Sequence, residues 1–448
     1  MRPTPPADAV RRLLDDAPMS RYQWGAVAAC VLLNVLDGFD VLVMAFTGRS
    51  VSAEWGLSGA GLGLLLSAGL VGMAAGSVLI GPWADRVGRR PVVLGCLALA
   101  GVAMLASAAA QSPGQLGALR LVTGLGVGGI LATSNVIAAE YASARWRGLA
   151  VSLNSTGYAL GAVLGGLLAV ALIGQFGWRS VFLAGGLATL AVIPLVWWRL
   201  PESIDFLLVR RPRGALERVN ALLARTGHAP LDALPGGTPV RTGVAAGYGA
   251  LLRPALRRTT LLIWVGFFCV MAGFYFVTSW TPTLLVEAGL SPESGIAGGT
   301  LLNVGGMFGA AALGLLAARF ALHHVLAGYL VTTAVLLGVF ITTTSSLALA
   351  FVVAVLVGLF VNGCVAGLYA LAPTSYGADV RTTGVGTALA VGRSGAILAP
   401  TLAGALLDGG ATPQSLYLLF AAVFVGAAVL VLLLRRIGAA TTTQGVPA

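Results

Sequence analysis

Twelve apolar stretches of about twenty residues, separated by short polar segments, make up most of the chain. Each is long enough to cross a hydrocarbon core of about 30 Å as an α-helix. We predict twelve spans, at 23–46, 59–82, 91–111, 114–138, 149–173, 179–199, 260–285, 296–318, 324–343, 346–371, 383–407 and 414–435. The pattern therefore predicts an all-α integral membrane protein.

A single long polar stretch, rich in Arg, Pro and Gly, separates the sixth span from the seventh. It divides the chain into a cytoplasmic N-terminal segment, a six-helix bundle, a cytoplasmic linker, a second six-helix bundle and a cytoplasmic tail, at 1–22, 23–199, 200–258, 259–436 and 437–448. The bundles resemble diverged copies, since GLGVGG at 124–129 matches GLFVNG at 358–363. Two parallel repeats of this kind predict a transporter whose substrate site lies between pseudo-symmetric halves.

Composition supports the membrane assignment, because 57% of the 448 residues are hydrophobic and only 10% are charged. The 27 basic residues are all arginine, and 23 of them fall in the N-terminus, the linker, the C-terminus or loops on the same side. The positive-inside rule then places both termini in the cytoplasm of a multi-pass inner-membrane protein. This distribution argues for membrane topology and against nucleic-acid binding.

Residue patterns for catalysis, for cofactors or for metals do not occur in the sequence. The three histidines fall in the linker or a loop, and the four cysteines each stand alone in an apolar segment. No phosphate-binding loop follows a strand pattern, and no metal-ligand spacing is present. We expect no enzyme activity and no cofactor, and transport driven by an ion gradient.

Two aspartates, Asp37 and Asp40, interrupt the first apolar span at VLLNVLDGFDVLVMAF. A charged side chain at the centre of a bilayer costs roughly 2.5–3.5 kcal/mol on insertion scales, so such residues are usually functional. At a helical rise of ~1.5 Å per residue, Arg120 in the fourth span lies at about the same depth as the aspartates. We predict a proton site in which Arg120 takes up or releases its counter-ion as a carboxylate is protonated. The alternatives are hydrogen bonding between helices for the aspartates and an interfacial side chain for Arg120.

The loop between the second and third spans reads GPWADRVGRRP, which fits GxxxDRxGRR. This string resembles the signature loop of the major facilitator superfamily, and the twelve-span layout agrees over nearly the whole chain. The resemblance implies a conformational latch of Gly81, Asp85, Arg86, Gly88, Arg89 and Arg90, with Glu140 and Arg147 as companion charges. Asp85 would pair with an arginine or with the N-terminus of a helix. The alternative is a loop whose arginines serve topology alone.

A narrower resemblance rests on DGFD at 37–40, which is similar to the DGxD element of the aromatic acid:proton symporter family. The loop at 81–91, Arg120 and GWRSVF at 177–182 agree with it. The resemblance implies proton-coupled import of hydroxybenzoates or related carboxylates, with Asp37 and Asp40 needed for coupling.

A second intramembrane arginine, Arg393, lies about 15 Å into the eleventh span, and no acidic residue of the second half lies at that depth. We predict that it binds the substrate carboxylate, with Tyr158, its counterpart in the repeat, facing it. Organic anion transporters resemble this chain in using such an arginine. The alternative is an arginine packed on helix carbonyls.

The seventh span, with its cluster of aromatic residues, offers surface for a substrate ring. Only Tyr275 lies deep enough to bind a ring, whereas Trp280 and Pro282 lie toward the outer end, where an interfacial aromatic belt is the commoner explanation. Four intramembrane amides either line the cavity or bridge helices, namely Asn34, Asn135, Asn154 and Asn303; we place Asn303 with the substrate site.

These features predict a secondary transporter that imports an aromatic carboxylate with protons by alternating access and works as a monomer in the bilayer. Import of a non-aromatic acid stays open, and so does a drug:proton antiporter, although the fifth span lacks the proline typical of exporters. A membrane sensor is disfavoured because the linker is too short for an output domain.

Overall fold

The computed structural model describes residues 9–234, 249, 251–340, 342–343, 346–376 and 380–443. This part of the chain is helical and contains no strand. Its helices are α1 (Ala9–Asp16), α2 (Arg21–Trp55), α3 (Gly59–Val87), α4 (Arg89–Ala108), α5 (Pro113–Tyr141), α6 (Arg147–Phe176), α7 (Arg179–Arg199), α8 (Ile204–Arg210), α9 (Ala215–Arg225), α10 (Pro254–Glu287), α11 (Pro292–Ala317), α12 (Leu322–Phe340), α13 (Leu347–Thr374), α14 (Arg381–Asp408) and α15 (Pro413–Thr443).

Within these ranges, twelve helices are long and apolar enough to cross a membrane, namely α2–α7 and α10–α15. They match the twelve predicted spans in order, which confirms the all-α membrane fold. The largest difference is at α2, which continues past residue 46 to Trp55. Two polar side chains there have partners: Thr47 Oγ1 donates to the carbonyl of Val43 at 2.7 Å, and Glu54 accepts from the indole of Trp178 at 2.7 Å.

Parts of four predicted segments lie outside the described residues: 1–8 of the N-terminal segment, 235–248 and 250 of the linker, 341, 344–345 and 377–379 of the second bundle, and 444–448 of the tail. The described part of the linker forms α8 and α9. Ser203 caps α8 by accepting from the backbone N–H of Phe206 at 3.1 Å. The division into two six-helix halves stays a prediction.

The chain forms two compact units, which divide several helices between them. The first unit comprises Met1–Val41, Val71–Gly161 and Arg179–Arg241. Its core is a hydrophobic cluster in which residues of α2, α4, α5 and α7 pack with Leu207 of α8 and with Val219 and Leu223 of α9. The linker helices are therefore anchored to the membrane-spanning helices of this unit by apolar burial.

The second unit comprises Leu42–Leu70, Ala162–Trp178 and Thr242–Ala448. In it, the part of α3 remote from the GPWADRVGRRP loop packs against α14. The backbones touch at Gly59 and Gly404, where a Cβ on Gly404 would lie 2.0 Å from the carbonyl oxygen of Gly59. Farther along, Ser67 Oγ donates to the carbonyl of Ile397 at 2.7 Å. Glycine at the crossing thus permits contact that no larger residue allows.

Candidate functional site

Arg120 and Asp40 form an ion pair inside the first unit, with 3.0 Å between Nη1 and Oδ1. Their side chains are 3% and 11% exposed, so the pair is shielded from solvent. The depth count from sequence is consistent with this geometry. The Arg120 side chain is buried against Asp40 and does not extend toward an interface, as the alternative interpretation required.

Three further contacts hold the Arg120 guanidinium in place. Nη2 donates to Thr123 Oγ1 at 2.9 Å and to Ser107 Oγ at 3.3 Å. The guanidinium carbon also lies 4.9 Å from the centre of the Phe182 ring, a cation–π distance. A buried charge requires such partners, and Arg120 is therefore fixed by α4, α5 and α7 as well as by Asp40.

Asp37 lies one turn before Asp40 but has a different environment. The residue is 1% exposed, and its Oδ2 has no hydrogen-bond partner among the described residues. Between the aspartates, Gly38 lies against α6, where a Cβ would come within 1.9 Å of the carbonyl oxygen of Tyr158. Glycine in DGFD therefore permits the close approach of α2 and α6 that fixes both carboxylates.

The amides of the first unit join helices. Asn34 donates to Asn154 Oδ1 at 2.8 Å and to Ser134 Oγ at 3.2 Å, and Asn154 donates to Asn135 Oδ1 at 2.7 Å. The network ties α2 to α5 and α6 one turn before Asp37. The sequence left open whether these amides line a cavity or bridge helices. In the structure, Asn34, Asn135 and Asn154 bridge helices.

Arg393 of α14 is half-buried in the second unit. Among the described residues it has no hydrogen bond and no carboxylate within ion-pair distance. Tyr275 of α10 and Tyr369 of α13 lie within electrostatic range of it. Each tyrosine makes an edge contact with a phenylalanine, Tyr275 with Phe274 at 5.2 Å and Tyr369 with Phe267 at 5.8 Å between ring centres. The arrangement combines an unpaired cation with aromatic surface.

Other residues predicted for the substrate site have structural contacts. Asn303 is 3% exposed, and its amide nitrogen donates to the carbonyl of Gly299 in its own helix at 2.9 Å. Tyr158 is half-buried in the first unit. Trp280 is 1% exposed and donates to the carbonyl of Pro400 at 3.0 Å, which makes it a packing residue and not part of an interfacial belt. Substrate contacts of Asn303 and Tyr158 stay predictions.

The signature loop and the linker form a polar cluster. Arg89 contacts Glu140 directly, and its Nη2 lies 3.2 Å from Asp85 Oδ1. Glu140 also accepts from Ser203 Oγ at 2.8 Å and from the backbone N–H of Ile204 at 3.1 Å. The carboxylate therefore lies at the start of α8, where a negative charge is favourable. Of the predicted partners for Asp85, an arginine within the same loop is the one observed.

The other loop residues and Arg147 take separate positions. Gly88, which immediately precedes α4, has φ 115°, a conformation that favours glycine. The Arg90 guanidinium donates to the carbonyl of Trp197. In the described part of the chain, Gly81 and Arg86 make no hydrogen bond to another element. Arg147 pairs with Asp15 of α1, not with Glu140.

Sequence reasoning missed several members of these clusters. Asp15 and Ser203 lie in segments that carried no motif, and Tyr369 stands in an apolar run of the tenth span. Glu202 accepts from the backbone N–H of Arg89 at 2.7 Å, which caps α4. In the sequence, the one sign of a role for Glu202 was its position just after the sixth span. Among the residues that the structure describes, no group of three or more metal-ligating side chains comes together.

Comparison with known proteins identifies the family. The sequence profile of the Major Facilitator Superfamily matches residues 28–324. The chain is 37% identical to a gallate transporter of Pseudomonas putida over 90% of both proteins. It is 35% identical to a 4-hydroxybenzoate transporter of Pseudomonas aeruginosa, over 90% of this chain and 92% of the relative. A 3-(3-hydroxy-phenyl)propionate transporter of Escherichia coli is 33% identical, over 85% and 86% of the two chains.

Solved structures agree on the fold. A bacterial homologue of the human lysosomal transporter Spinster superposes with a TM-score of 0.68 at 19% identity, over 94% of this chain and 97% of the other. The xylose transporter XylE of Escherichia coli gives the same score at 19% identity, over 92% and 97%. The protein is therefore a multi-pass membrane transporter and not an enzyme, and it belongs to the Major Facilitator Superfamily, in the branch that contains these aromatic acid transporters.

Proposed function

We propose that this transporter imports an aromatic carboxylate together with protons, by alternating access across the inner membrane. Import, proton coupling, the cytoplasmic position of both termini and function as a monomer are parts of the proposal. The transport activity itself follows from the family.

The unpaired guanidinium of Arg393 is the observation that carries the substrate assignment. A cation in a membrane-spanning helix needs an anion, and no described carboxylate of the protein supplies one. A substrate carboxylate fits the planar fork of arginine through two parallel hydrogen bonds. Tyr275 and Tyr369, beside that charge, offer ring faces and hydroxyl groups to a hydroxylated aromatic ring. The names of the relatives, gallate and 4-hydroxybenzoate transporters, agree with this chemistry.

Proton coupling is assigned to Asp37, with Asp40 and Arg120 as its electrostatic surroundings. Asp40 already has a cation, whereas Asp37 is buried one turn away with an unpaired Oδ2. A proton on Asp37 removes the charge whose burial would otherwise be uncompensated. Release of that proton places two carboxylates beside one arginine, a state that favours a rearrangement of the helices. The substrate carboxylate is bound elsewhere, at Arg393.

Alternating access requires contacts that open and close at each face. We assign one set to Asp85, Arg89 and Glu140, where α3, α4 and α5 meet the linker. The second set lies at the opposite end of α3. There Asp408 accepts from the backbone N–H groups of Gly59 at 2.6 Å and Ala60 at 2.8 Å, which places its carboxylate on the positive end of α3. Breaking this set would release α3 from α14.

Uptake into proteoliposomes tests the proposal. The purified protein is reconstituted, and radiolabelled 4-hydroxybenzoate is supplied with acid outside, with equal pH on both sides, or with acid outside and a protonophore. We expect accumulation above the level of protein-free liposomes only with the inward proton gradient. Protein-free liposomes correct for diffusion of the neutral acid, and the Arg393→Ala protein controls for binding. Protein-dependent uptake that ignores the gradient would contradict the coupling.

A further inference from the structure

A cavity of about 670 Å³ lies in the first unit, away from every residue assigned to substrate or protons. Its walls come from the ends of α2, α4, α5 and α7 on one side and from the linker helices α8 and α9 on the other. The hydrophobic cluster that anchors α8 and α9 also fixes these walls. The volume falls within the range of about 300–1,000 Å³ that is typical of small-molecule sites.

Most of the charged side chains that line the cavity are basic. Three arginines line it, Arg90, Arg218 and Arg225, together with one carboxylate, Glu202. Glu202 is already engaged by the backbone N–H groups of Arg89 and Arg90 at 2.7 and 3.2 Å. In the described part of the chain none of the three arginines has a carboxylate within ion-pair distance. The cavity therefore presents an excess of positive charge.

The rim of the cavity carries exposed apolar side chains. Trp197 and Trp198, at the end of α7, are 64% and 70% exposed, as expected for tryptophans at the boundary between hydrocarbon and headgroups. Val87 at the end of α3 is also exposed. The guanidinium of Arg90 lies 5.6 Å from the ring of Trp197, and that of Arg225 lies 5.2 Å from the ring of Tyr22. The cationic groups are thus held beside an exposed apolar edge.

We propose that this cavity binds the phosphate headgroup of an anionic phospholipid, with the acyl chains along Trp197 and Trp198. The basic lining suits a phosphate, and the exposed tryptophans suit a ligand that arrives from the membrane rather than from solution. Bound lipid would join α7 to α9 and so stabilise the linker against the membrane-spanning helices. The site is independent of the substrate and of proton coupling.

Thermal unfolding of the purified full-length protein in a neutral detergent tests the site. Dioctanoyl phosphatidylglycerol, dioctanoyl phosphatidylcholine and inorganic phosphate are titrated separately. We expect the anionic lipid to raise the unfolding midpoint, and neither the zwitterionic lipid nor phosphate to do so at the same concentration. In the double variant Arg218→Gln/Arg225→Gln, we expect the apparent affinity for the anionic lipid to fall roughly thirtyfold, since each basic residue contributes about 1 kcal/mol.

The matched control is Arg213→Gln/Arg257→Gln, which removes the same charge from exposed positions outside the cavity. It should keep the response of the parent protein. Equal stabilisation by both lipids, or an unchanged response in Arg218→Gln/Arg225→Gln, would overturn the site. Stabilisation by inorganic phosphate as strong as that by the lipid would overturn the lipid as its occupant. Because the readout is unfolding, the outcome does not depend on whether transport is proton-coupled.

Discussion

Asp40 and Arg120 are separated by 80 positions in sequence, yet their side chains meet at 3.0 Å in the interior of the first unit. Asp37, three residues from Asp40, has no cation at this distance among the residues that the structure describes. The two aspartates of one motif therefore differ in their electrostatic surroundings, and they should respond differently to the same substitution.

Asp40→Asn should destabilise the protein more than Asp37→Asn does. The first change leaves the Arg120 guanidinium buried without its counter-ion, which typically costs about 3–5 kcal/mol. The second replaces a carboxyl group that has no cationic partner in the described part of the chain. Thermal unfolding of both variants in detergent measures the difference, and equal losses of stability would contradict it. Adding Arg120→Gln to Asp40→Asn should recover part of the loss, because it removes the uncompensated charge.

Arg393→Ala should weaken substrate binding by about 150-fold or more, since two hydrogen bonds to a charged group are lost and each contributes about 1.5–3 kcal/mol. Arg393→Lys should lie between the parent and Arg393→Ala, because lysine keeps the charge but loses the bidentate geometry. Ligand-induced shifts of the unfolding midpoint with 4-hydroxybenzoate give the affinities. Arg319→Ala, at an exposed helix end, is the control. If Arg393→Ala bound 4-hydroxybenzoate as tightly as the parent protein does, Arg393 would not be part of the substrate site.

Gly38→Ala should impair folding and transport, because the new Cβ would lie 1.9 Å from the carbonyl oxygen of Tyr158. Overpacking of this kind costs typically about 1–3 kcal/mol or forces the helices apart. Gly266→Ala in α10 is the control, since a Cβ there meets no described atom within 4 Å. Folded yield and uptake are measured for both. Equal behaviour of the two variants would show that the α2–α6 crossing is not needed at Gly38.

Asp408→Ala should weaken the contact between α14 and the start of α3, because two backbone N–H groups lose their acceptor. A cysteine placed at Thr401, whose hydroxyl lies 2.9 Å from that of Ser67, reports on this contact. We expect faster labelling by a membrane-impermeant maleimide in Asp408→Ala than in the protein with native Asp408. The parent without Thr401→Cys gives the background from the four natural cysteines. An unchanged labelling rate would argue against a gate here.

The sequence was sufficient to predict the twelve helices, because their lengths follow from helical rise and the thickness of the bilayer. A residue count at that rise brought Arg120 to the level of Asp40. It could not show that Asp37 and Asp40 have different partners, since those partners depend on how α2 is rotated against α5 and α6. Arg147 was assigned to the cluster of Glu140, whereas it pairs with Asp15. A contact between a terminal segment and a helix end depends on tertiary packing that no local pattern encodes.

The proton-carrying role of Asp37 is the central claim, and substrate-induced proton uptake measures it most directly. The neutralised sodium salt of 4-hydroxybenzoate is added to lightly buffered proteoliposomes at equal pH on both sides, with protein-free liposomes subtracted, and external pH is recorded. We expect alkalinisation with the parent protein and with Asp37→Glu, and none with Asp37→Asn, although Asp37→Asn still exchanges labelled for unlabelled substrate. Alkalinisation by Asp37→Asn equal to that of the parent would contradict the assignment.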